Sequence, residues 1–184
     1  MPMTQLDPVA ALVAIDLQKG IAGRVAAHPT DEIVRRTAVL ARAFRKRGLP
    51  VVLVNVTGAA PGRTDAGRLK FGFPPGWDEL VDELGAEPSD LRVSKQRWGA
   101  FTGTGLDALL RERGVTQIVL TGISTSAGVE STARSAHELG YNVVFAVDAM
   151  TDLDAEAHQF TVEKIFSRLG ELEITANVLK LVEG

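Results

Sequence analysis

Short β-branched runs alternate with helix-like segments along almost the whole chain, and that alternation restricts the fold more than any other feature. Ala11 to Leu17 is a continuous apolar run broken only by Asp16, and Val51 to Val56 is a second. Leu91 to Lys95, Gln117 to Thr121 and Asn142 to Val147 follow, and Leu172 to Thr175 reads as a last edge strand. Strands with few polar residues on either face belong to parallel sheets covered on both sides. The expected architecture is therefore a three-layer α/β/α, Rossmann-like fold around a central, mainly parallel sheet of about six strands. A chain of 184 residues is expected to form it as a single domain, 1–184.

Between the strands, Thr30 is placed to cap a helix that Asp31 and Glu32 begin and Gly48-Leu49-Pro50 ends. Its inner face is Ile33, Thr37, Leu40, Ala41 and Phe44. Further helices are expected at roughly 78–84, 105–113, 126–139 and 154–168, with one more at the C-terminus. The stretch from Thr57 to Trp77 is rich in Gly and Pro, lacks a period and reads as a long loop of the kind that is often functional.

Composition excludes several function classes. The formal net charge is -3, and the most basic stretch, Arg42 to Arg47, falls at a helix end, so no nucleic-acid partner is expected. No apolar run approaches the ~18 residues of a membrane span. Met1 to Pro8 lacks the basic and apolar regions of a signal peptide, and the expected location is the cytoplasm. There is no cysteine, which removes disulfides and thiolate chemistry together. His28, His137 and His158 have no metal-ligand spacing, and no phosphate-binding glycine motif is present, so neither metal nor cofactor is expected.

Ligands of open α/β sheets bind at the carboxyl ends of the strands. Asp16 stands there after an apolar run, where partial desolvation makes a carboxyl group a candidate acid or base; the alternative is a turn cap or a pair with Lys19. Lys95 ends the third strand and would orient that carboxylate, unless it is a surface lysine. Trp98 and Phe101 would wall a pocket or belong to the core. Gly128 sits in the first turn of the helix after the fourth strand, where an N–H is available to an anionic oxygen; the plainer role is close packing of helix on sheet. Ser124, Thr125 and Ser126 are hydroxyls at the same turn, either nucleophiles or helix caps.

The segments Val13-Ala-Ile-Asp16-Leu-Gln18, Ser94-Lys95-Gln-Arg-Trp-Gly-Ala-Phe101, Thr121-Gly-Ile-Ser-Thr-Ser-Ala-Gly128-Val-Glu-Ser-Thr-Ala-Arg134 and Gly140-Tyr-Asn-Val-Val-Phe-Ala-Val-Asp148 resemble the isochorismatase-like, or cysteine hydrolase, superfamily. The resemblance implies an Asp–Lys–Cys triad with the Asp at Asp16, the Lys at Lys95 and a glycine, Gly128, at the Cys position. It implies a cis peptide at Ile123-Ser124 and a small-molecule substrate held by Gln18, Trp98, Phe101, Ile123, Ser124 and Thr125. It also implies a homodimer or larger homo-oligomer. Amidohydrolases of this family form a thioester, which a chain without cysteine cannot do. The nicotinamidase metal site is not matched, since Asn55 to Phe73 offers Asp65 and no histidine. True isochorismatases resemble this chain in lacking the Cys while keeping Asp and Lys, although Val129 to Arg134 looks more like the amidase branch. The implied function is cofactor-independent hydrolysis of a vinyl ether such as isochorismate, with Asp16 as general acid. The alternatives are a non-catalytic ligand-binding homologue and a serine-dependent hydrolase.

Overall fold

A computed structural model describes residues 3, 5–23, 27–65 and 73–184; 66–72, within the expected long loop, together with 24–26, Met1, Pro2 and Thr4, lie outside the described residues. Six parallel strands form one sheet: β1 (Ala10–Ile15), β2 (Val51–Val56), β3 (Leu91–Lys95), β4 (Gln117–Ile123), β5 (Asn142–Thr151) and β6 (Glu171–Glu173), in the order β3-β2-β1-β4-β5-β6. Side chains of a strand alternate between faces, and β1 shows what that does in a buried sheet. Ala10, Leu12 and Ala14 pack into one apolar layer and Ala11, Val13 and Ile15 into the other. The first layer is closed by α2 (Thr30–Lys46) and α6 (Thr175–Glu183), the second by α3 (Leu106–Glu112) and α4 (Glu130–Glu138). This is the three-layer α/β/α arrangement expected from the alternation.

The two halves of the sheet grow outward in opposite directions from β1 and β4. The carboxyl ends of these two strands therefore flank the topological switch point, where open sheets bind ligands. Gly122 is indispensable there. Its φ is 117°, and a Cβ on it would stand 2.1 Å from the Ile15 carbonyl oxygen, so only glycine lets β4 close on β1 at this level.

Four expectations are corrected. The expected helix at 78–84 is a single 3-10 turn, Asp82–Leu84, after a one-turn α1 (Lys19–Ala22) and an irregular strap. The strap's backbone is committed elsewhere: Lys19 N–H donates to Glu79 O, Gly20 N–H to Trp77 O and Val81 N–H to Leu17 O. The expected helix at 126–139 begins as a π-turn, Thr125–Val129, before α4. The expected helix at 154–168 is α5 (Ala155–Phe160), then a π-turn to Ile165, then a 3-10 turn to Arg168. Finally, Thr30 is the first residue of α2 and its hydroxyl, buried, makes no capping bond; Pro29 precedes it.

Candidate active site

β1 ends in a turn made by a non-glycine residue with positive φ, Asp16 at 52°. Such a conformation is uncommon outside Gly, Asn and Asp, and here it sends the carboxyl group across β2 toward β3. Lys95, the last residue of β3, donates from Nζ to Asp16 Oδ2 at 2.7 Å and to the Arg97 carbonyl at 3.1 Å. Both side chains are buried. The other carboxylate oxygen, Oδ1, is buried with no hydrogen-bond partner among the described residues. Burial raises the Asp16 pKa from 3.8 to about 6, and the neighbouring Lys95 charge only partly opposes it. Near neutral pH this carboxyl group is thus poised to hold or release a proton.

Gly128 closes the third side. A Cβ built on it would lie 3.2 Å from Asp16 Oδ2, 3.0 Å from Ile15 Cγ2 and 3.5 Å from the Ile123 carbonyl. The turn that carries it follows a cis peptide between Ile123 and Ser124. The Ser124 carbonyl then accepts from the N–H groups of Ala127 and Val129, at 3.1 Å each, and these two bonds bracket Gly128. The structure so brings Asp16, Lys95, Ser124 and Gly128 together at the switch point.

Four other expected site residues are placed differently. Gln18 is fully buried and its amide is bonded to the backbone of Val56 and Trp77. Thr125 is fully buried, its hydroxyl 3.1 Å from Thr151 O and 2.8 Å from His158 Nδ1. Trp98 is 68% exposed. Phe101 packs on Tyr141 with centroids 5.8 Å apart. Ile123 is buried and contributes its backbone.

Two groups escaped the sequence. Asp152, just beyond β5, accepts at one oxygen, Oδ2, from both the N–H and the hydroxyl of Ser126, at 2.7 and 2.8 Å. The serine-dependent alternative needed a base within about 4 Å, and Ser126 has this one. A carboxylate that takes both the amide and the hydroxyl of one residue at a helix start is a cap, however, and Asp152 serves as one. His158 meets His28 edge to face at 4.9 Å, and burial followed by the His28 charge lowers its pKa. Neither contact follows a sequence spacing, since each joins segments more than 25 residues apart. Among the described residues no group of three or more His, Asp or Glu side chains could hold a metal ion.

Cavities of about 670 and 580 Å³ lie elsewhere, the first around Pro50 and Asp90 and the second between α2 and the segment at Val81, around Val34 and Ala38. Neither contains an ion pair with an orphaned carboxylate oxygen, so the switch point remains the stronger candidate for chemistry.

The family model for the isochorismatase domain matches residues 10–177. The chain belongs to the isochorismatase family. An isochorismatase family protein of Escherichia coli O157:H7, YecD, itself uncharacterised, is 43% identical over 176 residues, covering 92% of this chain and 94% of that one. An isochorismatase family protein from Burkholderia thailandensis superposes with a TM-score of 0.94 at 43% identity, over 98% of both chains. A ureidoacrylate amidohydrolase, RutB of Variovorax paradoxus, is 41% identical over 102 residues, 53% of this chain and 40% of its own. The protein is thus an isochorismatase-family hydrolase whose relatives include amidohydrolases.

Proposed function

We propose that this protein hydrolyses a small vinyl ether, with isochorismate the first candidate, by general acid catalysis without a covalent intermediate. The observation that carries the reading is the Asp16 carboxyl group: buried, bonded to Lys95 through one oxygen, unpartnered at the other, and with a pKa near 6. It faces a glycine in a chain without cysteine. A thioester route needs a sulfur that the chain does not have, whereas a vinyl ether needs a proton on carbon.

In this reading protonated Asp16 gives its proton to the terminal vinyl carbon, leaving an oxocarbenium ion. Water adds to that ion and returns a proton to the Asp16 carboxylate. The hemiketal then collapses to pyruvate and the alcohol, so that one water is consumed and the acid is regenerated. General acid catalysis of this kind contributes roughly 10²–10⁴-fold. Lys95 holds the carboxyl in register, and the N–H groups at Ser124 and Gly128 receive a carboxylate or other oxygen of the substrate. We further read the protein as a cytoplasmic homo-oligomer; light scattering that finds only the mass of one chain contradicts this.

Purified protein is expected to release pyruvate from isochorismate, and Asp16→Ala to release none above background. Equal release from the two proteins rejects the role of Asp16. Tight binding of isochorismate with recovery of unchanged ligand makes the protein a binding homologue.

A further inference from the structure

β1 and β2 pair as a regular parallel ladder up to the bond from Asp16 N–H to Val54 O, 2.9 Å. The left-handed conformation of Asp16 then turns the chain out of the sheet. Val56, two residues beyond Val54, presents its backbone N–H and C=O to the same side, toward a β1 residue that is no longer there. Buried backbone groups left in that state are costly.

The Gln18 side chain fills the gap. Its Oε1 accepts from Val56 N–H at 2.8 Å, and its Nε2 donates to Val56 O at 3.0 Å and to Trp77 O at 3.3 Å. A donor and an acceptor on one residue fix which end of the amide is oxygen. Both amide protons are spent, so a buried Gln18 has none to offer a substrate. Its own N–H donates to Asp16 O at 2.9 Å, closing the chain between the clamp and the acid into a tight loop.

We propose that Gln18 is a positioning residue for Asp16: its carboxamide replaces the missing strand residue opposite Val56 and thereby keeps Asp16 in the turn that aims its carboxyl at Lys95. The inference rests on the reading of Asp16 as the reacting acid. Lys95 from β3 is the cation bonded to Asp16; Lys19, from α1, is turned to Glu79 and Asp82 instead.

The test follows the Asp16 carboxyl carbon by NMR titration, alongside isochorismate kinetics. Gln18→Met keeps the length and removes every bond of the clamp. With the clamp gone, Asp16 swings toward water and its midpoint falls from about 6 toward 3.8. The rate of turnover, kcat, falls about 10–100-fold, more than KM changes, as expected of a misplaced acid. Gln18→Glu adds a signature that a packing role does not give. Protonated, its carboxyl group can donate to Val56 O and accept from Val56 N–H; ionised, it cannot donate. Burial at this fully enclosed position raises the new carboxyl's pKa above its ordinary value, so the variant's Asp16 signal is expected to match wild type near about pH 5 and to depart from it near about pH 8.

Folded Gln18→Met with an unshifted Asp16 midpoint overturns the proposal. If Gln18→Met does not fold, Gln18→Glu decides, and a match at both pH values, or a mismatch at both, overturns it. The titration needs no turnover: a wild-type protein inactive on isochorismate sinks the proposed reaction, while the Asp16 midpoints still judge the clamp.

Discussion

Replacing Gly128 by cysteine places a sulfur at the position where the family resemblance expects a nucleophile. The added Cβ meets Asp16 Oδ2 at 3.2 Å and Ile15 Cγ2 at 3.0 Å, both close enough to require small shifts and neither an impossible overlap. Overpacking of that order costs about 1–3 kcal/mol. Removing a glycine's freedom from a helical turn returns about 0.5–1 kcal/mol. The net cost is then about 0–2.5 kcal/mol, or at most a fall of about 10 °C in Tm for a chain of this size. The new sulfur lies at a helix start beside Lys95, and both lower a thiol pKa. Asp16, ionised at pH 7 in most molecules, opposes them. Gly128→Cys is therefore expected to react with iodoacetamide at neutral pH faster than a free thiol, and the added change Asp16→Asn to speed it further. A thiol that is inert in folded protein, or indifferent to Asp16, refutes the geometry on which the site is built.

Lys95→Met removes the charge that holds the Asp16 pKa down, so the carboxyl titrates roughly 1 unit or more above its wild-type midpoint; an unchanged NMR midpoint contradicts the pairing. Gly122→Ala forces a Cβ onto the Ile15 carbonyl at a backbone angle open essentially to glycine, and the urea midpoint is expected to fall by the equivalent of about 3 kcal/mol or more; a wild-type midpoint contradicts that. Ser126→Ala is expected to cost about 1 kcal/mol of cap stability in urea denaturation and to leave isochorismate turnover within about twofold; abolished turnover in folded protein revives the serine-dependent route.

The sheet was legible because buried parallel strands carry apolar runs that nothing else in the chain imitates. β2 and β3 begin and end where their runs do. β5 runs four residues past its apolar stretch, through Asp148 to Thr151, because pairing with β4 resumes after a register shift. Helix boundaries were less legible where the backbone had tertiary partners. The segment 77–81 has helical composition, yet the carbonyls of Trp77 and Glu79 and the N–H of Val81 are bonded to residues 17–20, which follow β1. At the site, Asp16, Lys95 and Gly128 stood out through the family resemblance; position alone pointed to three segments at the strand ends and gave each candidate there a plainer alternative role. Gln18 was legible as a member of the motif but not in its role, because only the fold shows that β1 leaves Val56 without a partner. Asp152 and His158 gave no signal at all, since their bonds to the helix start depend on where β5 and α5 come to rest.

The pH dependence of isochorismate hydrolysis is the most direct test of a shielded acid. Burial places the Asp16 midpoint at about 6, above its ordinary 3.8, and catalysis requires the protonated form. The account predicts that kcat/KM falls as pH rises through about 6, and that Lys95→Met moves that limb to higher pH. A rate that climbs through about 6 would mean that ionised Asp16 acts as a base, and would contradict the general acid mechanism.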